Sequence, residues 1–212
     1  MTATLRRRWW LVWFAFAIIL TAAALLFDAS VQTWFTEIQT PGGNAFMRHV
    51  SRWGDWPAHV IVGLAGLGIA YLRKSRTWMA IFAATVLACA AAGLANRAVK
   101  MTAGRSRPSV KIDVGWNGPR FSPKYHAFPS GHTAASTAFF ATLVFARRRI
   151  GIALLPIPLL IATSRLYLNA HHFSDVVVGA LVGVFFAALV WRFLQDRSSS
   201  LSGEPDGLPM QR

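Results

Sequence analysis

Residues 78–95 read Trp78-Met-Ala-Ile-Phe-Ala-Ala-Thr-Val-Leu-Ala-Cys-Ala-Ala-Ala-Gly-Leu-Ala95, without a single charge. A helix that crosses a bilayer needs about 20 predominantly apolar residues, within a range of about 17–25. This stretch qualifies outright, and so does Trp9–Phe27. Shorter apolar runs follow at Pro57–Leu72, Thr133–Ala146, Ile150–Thr163 and Val176–Trp191. They reach spanning length only by taking in polar flanks, which membrane helices tolerate where their ends line a protein-enclosed cavity. The pattern predicts an all-α polytopic membrane domain over 1–197, a bundle of six transmembrane helices, or five if two runs form one re-entrant pair. The Ser/Gly/Pro-rich segment 198–212 is expected to be a disordered tail, and no internal repeat is visible.

Composition agrees with this reading. Of the 212 residues 54% are apolar and 14% charged, where a soluble domain carries about a quarter charged residues. The single cysteine, Cys89, excludes an internal disulfide framework and any cysteine-based zinc cluster. The formal charge of +14, from 22 Lys/Arg against 8 Asp/Glu, would suggest nucleic acid in a soluble protein. Position argues otherwise. Arg6–Arg8, Arg73, Lys74, Arg76, Arg147–Arg149, Arg192, Arg197 and Arg212 all fall on one side of a six-span map. The positive-inside rule makes that side cytoplasmic, with both termini inside. The remaining basic residues face outward, and seven of them lie between Arg97 and Lys124. That outward cluster breaks the rule and is the place to look for function. Basic residues divided between two membrane faces also disfavour nucleic-acid binding.

Two segments near the N-terminus admit alternatives. Arg6–Arg8 before Trp9–Phe27 has the look of a signal peptide, but the apolar stretch exceeds the usual core of about 7–15 residues and no small-x-small site follows, so a retained first helix is favoured. Asn44–Trp56 mixes Phe46, Met47, Val50, Trp53 and Trp56 with Arg48, His49 and Arg52. At helical spacing this is an interfacial amphipathic helix with Trp anchors; the other reading is an ordinary loop.

Three outward patches carry unusual residues: Lys100-Met-Thr-Ala-Gly-Arg-Ser-Arg107-Pro108; Pro129-Ser130-Gly131-His132; and Ser164-Arg165, followed by His171 and Asp175. The fourth and fifth runs form a hairpin around Arg147–Arg149, so the ends bearing His132 and Arg165 return to one face. The outward loop brings Lys100 and Arg107 there too. Three cations can cancel the charge of a phosphate, and the arginines offer forked donors to its oxygens. Ser130-Gly131 before a helix is an N-terminal anion site. Asp175, one turn from His171, can hold one imidazole nitrogen so that the other presents a lone pair. A neutral imidazole beside a clamped phosphate is a nucleophile, and His132 can donate a proton to the leaving oxygen. Singly, each patch has an ordinary reading: loop arginines that grip lipid headgroups, or a structural histidine. Together on one face they point to phosphoryl transfer.

The arrangement K-x6-RP, PSGH, SR-x5-H-x3-D resembles the signature of the type 2 phosphatidic acid phosphatase (PAP2) superfamily, the lipid phosphate phosphatases. Lys100, Arg107, Pro108, Pro129, Ser130, Gly131, His132, Ser164, Arg165, His171 and Asp175 all match it. The resemblance implies that His171 forms a phosphohistidine and that Asp175 orients it. It makes His132 the general acid and then the base that activates water. Lys100, Arg107, Arg165, Ser130 and the Gly131 backbone hold the phosphate, and neither metal nor cofactor is required. His172 breaks both spacings and is not the nucleophile.

The substrate implied is a phosphorylated lipid at the outer face of the cell membrane. Undecaprenyl diphosphate, phosphatidylglycerophosphate, phosphatidic acid and lipid A phosphate all remain open, as does oligomeric state. A phosphotransferase passing the phosphoryl group to another lipid would use the same residues. A non-catalytic lipid-binding relative would have lost one of them, and none is lost here. The vanadium haloperoxidases share a similar signature but are soluble, which six apolar runs argue against. Trp116, Lys124, Tyr125 and His126, between the first two patches, are expected from their position to line a headgroup pocket.

Overall fold

The computed structural model describes residues 3–202, and every element in them is helical. The chain begins with α1 (Ala3–Leu26) and α2 (Asp28–Glu37), which meet at a 52° bend. Next come α3 (Pro41–Trp53) and α4 (Trp56–Leu72), bent by 51°. Their boundaries follow local chemistry. Thr40 Oγ1 accepts the Gly43 N–H at 3.0 Å ahead of Pro41, and the Asp55 carboxylate accepts the Trp56 N–H at 2.9 Å ahead of Pro57. Within Asn44–Trp56, read as one amphipathic helix or a loop, residues 44–53 are helical, 54–55 break the helix and Trp56 opens α4; Phe46, Trp53 and Trp56 are exposed.

α5 (Arg76–Ala103) contains the stretch 78–95 and ends at Gly104, whose φ of +56° closes the helix in the left-handed region. A side chain there would also run into the Gly118 carbonyl. After a loop with one 3-10 turn come α6 (Gly131–Ala146), α7 (Arg148–Leu154), α8 (Pro156–Tyr167) and α9 (Phe173–Ser202). Residues 198–202, expected in a disordered tail, continue α9; residues 203–212 lie outside the described segment.

Three stretches are long and apolar enough to cross a membrane: Arg76–Ala103, Arg148–Tyr167 and Phe173–Arg197. Counting each bent pair as one span gives five. The expected sixth, α6, is 16 residues long, about 24 Å at 1.5 Å per residue. It is short because it is the inner helix, packed between α5 and α9 with ten of its residues buried. The α6–α9 contact is backbone against backbone. A Cβ on Gly179 would lie 2.6 Å from the Ser130 carbonyl, and one on Gly183 2.7 Å from that of Ala134. Small residues four apart allow this close approach in membrane helices. On the other side, Ile81, Ala84, Ala88, Cys89 and Ala92 of α5 form the apolar stripe that meets α6.

Candidate active site

The start of α9 sets the geometry. His172 precedes the helix, and Asp175 in its first turn accepts the His172 N–H at 2.8 Å through Oδ2, the reach-back half of a capping box. The next free donor, Ser174 N–H, is taken by Asp28 Oδ1 at 2.7 Å, although Asp28 opens α2 far away in sequence. Arg105 joins the two acids: Nη1 donates to Asp175 Oδ1 and Nη2 to Asp28 Oδ2, each at 2.6 Å. Ser174 Oγ accepts from Nη1 and donates to Asp28. All four residues are buried. The guanidinium also stacks over Trp116, 4.8 Å from the ring centroid. One cation facing two carboxylates is the arrangement that makes buried ionised acids tolerable.

His171 sits in the turn before α9 with Nδ1 2.7 Å from the Ala127 carbonyl and 3.7 Å from Asp175 Oδ2. A carbonyl only accepts, so Nδ1 carries the proton and the lone pair is on Nε2. The Asp175 carboxylate therefore backs the ring electrostatically, and the direct hydrogen bond goes to the main chain. Burial lowers the His171 pKa to about 4; Asp175 opposes that shift, while the charges of Lys100 and Arg165 add to it. The ring is neutral at physiological pH. His172 is tied down separately, with Nε2 3.2 Å from the Ser106 carbonyl, and its pKa is lowered chiefly by burial.

The expected cations converge here. Lys100, in the last turn of α5, donates to the His126 carbonyl at 3.1 Å. Arg107 is anchored by its backbone N–H to the Lys124 carbonyl at 3.0 Å. Burial lowers its pKa while the Asp175 charge acts the other way, and the guanidinium remains a cation. Arg165 ends α8, buried, with Nη1 donating to Ser51 Oγ of α3. The Nε atoms of both Arg107 and Arg165 are buried with no acceptor among the described residues.

Ser130, fully buried, caps α6. Its Oγ accepts from the Thr133 hydroxyl at 2.9 Å and the Thr133 N–H at 3.5 Å, so its own proton stays free to donate. Its N–H bonds the Asp175 carbonyl at 2.8 Å, which locks the starts of α6 and α9 together. A Cβ on Gly131 would press on the Asn96 amide nitrogen at 3.1 Å, while Lys100 Nζ lies at an ordinary contact distance of 3.6 Å. The Asn96 amide, oriented so that both its atoms are satisfied, accepts the Gly131 N–H and donates to the Pro129 carbonyl, each at 3.2 Å. His132 and Arg165 line a cavity of about 400 Å³ together with Arg48, Ser51, Arg52, Asp55 and Leu168. Trp116, Lys124, Tyr125 and His126 do not line this cavity. They hold the loop together through the Arg105 stack, the Lys124 and His126 carbonyls and a Tyr125–Asp113 hydrogen bond of 3.0 Å. Among the described residues no group of three or more His, Cys, Asp or Glu side chains is placed to hold a metal ion.

Residues 80–199 match the family model of the PAP2 superfamily. The chain belongs to the PAP2 superfamily. It is 33% identical over 139 residues to a decaprenylphosphoryl-5-phosphoribose phosphatase of Mycolicibacterium smegmatis, covering 66% of this chain and 72% of that one. It is 29% identical over 125 residues to a lipid A 1-phosphatase of Rhizobium johnstonii, covering 57% and 50%. The crystal structure of a PAP2-type phosphatidylglycerolphosphate phosphatase from Bacillus subtilis superposes with a TM-score of 0.68 at 23% identity, over 88% of this chain and 96% of that one. That similarity establishes the shared fold. This PAP2 protein is thus a multi-pass integral membrane lipid phosphatase, a phosphomonoesterase. The sequence reading passed over three contributors to its site. Asp28 and the Ala127 carbonyl carry no local signal, and Arg105 stands inside the first patch with no carboxylate beside it in sequence.

Proposed function

We propose that the protein hydrolyses the phosphomonoester of a lipid through a phosphohistidine on His171. The observation that carries this reading is the pair of buried guanidinium Nε–H groups, Arg107 and Arg165, that lack acceptors beside a histidine whose Nε2 lone pair is presented. Buried unpaired donors are rare and costly, and a phosphoryl group supplies the missing acceptors.

In this mechanism Lys100, Arg107, Arg165 and the Ser130 hydroxyl hold the nonbridging oxygens. Nε2 of His171 attacks phosphorus and the P–O bond to the lipid breaks. His132 protonates the departing oxygen, then takes a proton from the water that cleaves the phosphorus–nitrogen bond. Asp175, held by Arg105, stabilises the positive charge that develops on the His171 ring. In this reading the chain crosses six times, α6 being the short inner crossing, with the site on the exterior face and both termini in the cytoplasm, an orientation that Arg73, Lys74, Arg76 and Arg147–Arg149 support. The relatives support prenyl-phosphate and glycolipid-phosphate substrates.

The test is phosphate release by the purified protein from a panel of lipid phosphates in the presence of EDTA, with rapid-quench trapping of an acid-labile, base-stable phosphoenzyme. Its absence from the wild type overturns the covalent route. For orientation, a cysteine at position 148 in a Cys89-free background should resist external labelling in intact cells; labelling there would reverse the map.

A further inference from the structure

The cavity in front of His132 is walled on one side by α3, and the residues α3 presents follow a helical stripe. Arg48, Ser51 and Arg52 lie at i, i+3 and i+4, and Asp55 follows at i+7. Ser51 is engaged with Arg165, and the Asp55 carboxylate with the Trp56 N–H. Arg48 and Arg52 are exposed toward the cavity and have no hydrogen-bond or ion-pair partner among the described residues. Phe46 and Trp53 project from the rest of the helix as exposed apolar side chains. An interfacial helix carries its cations on the polar face that meets headgroups; here Arg48 and Arg52 line a defined cavity together with His132 and Arg165.

Which part of a substrate meets them follows from the reaction geometry. In phosphoryl transfer the attacking and departing atoms lie roughly in line across phosphorus. His171, 3% exposed, attacks from the buried side and does not line the cavity. His132, the proton donor to the departing oxygen, does line it. The leaving group therefore extends into the space between His132 and α3. Two unpaired cations against one carboxylate, at that place, fit a leaving group that is itself an anion.

We propose that Arg48 and Arg52 form a second anion subsite, and that the preferred substrates are phosphomonoesters whose leaving group carries a second phosphate charge, in preference to esters of a neutral lipid alcohol. This rests on the phosphatase reading above, with His132 on the leaving-group side.

The experiment compares phosphatidylglycerol phosphate, whose leaving group bears a phosphodiester anion, with phosphatidic acid of the same acyl chains, whose leaving group is neutral diacylglycerol. Both are assayed in uncharged detergent micelles, so that bulk surface charge is the same. The ratio of their kcat/KM values is the readout. The wild-type ratio is expected to favour the anionic leaving group by about tenfold or more. It should collapse to near one in R48A/R52A and recover most of its value in R48K/R52K, since a point charge suffices at an exposed subsite. A wild-type ratio near one overturns the subsite, as does a ratio unchanged in R48A/R52A, including the case where both substrates lose equally. No release from phosphatidylglycerol phosphate by a wild type that hydrolyses other members of the lipid-phosphate panel overturns the subsite, whereas no release from any member overturns the proposed mechanism beneath it.

Discussion

Arg105 is held between two carboxylates, 2.6 Å from each, while two residues further along the same loop Arg107 has a buried Nε with no acceptor among the described residues. The two arginines mark two regions of one site. The first, Asp28–Arg105–Ser174–Asp175, is buried, charge-balanced and rich in hydrogen bonds. The second, Lys100–Arg107–Arg165, gathers cations that make no ion pair within 4 Å among the described residues, with Asp55 and Asp175 acting on them only from further off. Both regions contain buried charge, yet only the first satisfies it internally. A satisfied network fixes geometry. A cluster of like charges with unpaired donors stores unfavourable energy that an anion relieves on binding. Stability and activity should therefore respond in opposite ways to changes in the two regions.

His171→Ala gives the largest effect, because it removes the group on which the two regions converge. Release from every substrate should be abolished, and no acid-labile phosphoenzyme should be trapped; finding one would move the nucleophile elsewhere. Next is Arg105→Ala, which leaves Asp28 and Asp175 buried without their cation and should cost about 3–5 kcal/mol of stability, read as a lowered midpoint of thermal unfolding in detergent. An unchanged midpoint would dissolve the distinction between the regions. Arg107→Ala or Arg165→Ala should instead lower kcat/KM by the equivalent of about 2–4 kcal/mol while the unfolding midpoint stays level or rises. Lysine should not rescue either position, because it lacks the planar fork.

His132→Ala sharpens the picture within the second region. It should suppress phosphate release from lipid esters about a hundredfold, yet still give a burst of nitrophenolate from an aryl phosphate, whose leaving group needs no proton. Equal loss on both substrates would remove the acid role. The smallest effect is on pH dependence. His171 has its pKa lowered to about 4 by burial, against about 6.5 for a free imidazole, so its lone pair persists as pH falls through 6.5. The acid limb of kcat/KM, corrected for the substrate's own phosphate ionisation, should then lie near pH 4. A limb near 6.5 would mean that the ring is not desolvated.

The second region was legible in the sequence, and the first largely was not. Lys100, Arg107, Ser130, His132, Arg165, His171 and Asp175 are recoverable because phosphate chemistry demands those residue types and the hairpin map returns them to one face. Asp28 follows the first apolar run like any loop residue, and its partners lie 77 and 146 residues away. The Ala127 carbonyl is invisible in principle, since any residue offers one. Asp175 faces His171 Nδ1 at 3.7 Å, as an orienting carboxylate would, while its oxygens are also engaged by Arg105 and the His172 N–H. The close approach of α9 to α6 at Gly179 and Gly183 is a feature of the structure that nothing in the sequence reading singled out.

Asp28 has a consequence for how the molecule comes into being. The family match covers residues 80–199, yet the acid that completes the Arg105 pair stands 77 residues ahead of Arg105 and is synthesised before it. During insertion that carboxylate waits without its counterion, and Ser174, its other partner, arrives only with the final helix. The Asp28–Arg105–Ser174 contacts can therefore close only once the chain has been made as far as α9. A fragment trimmed to the homologous core would keep every signature residue and lose the anchor that squares α9 against them.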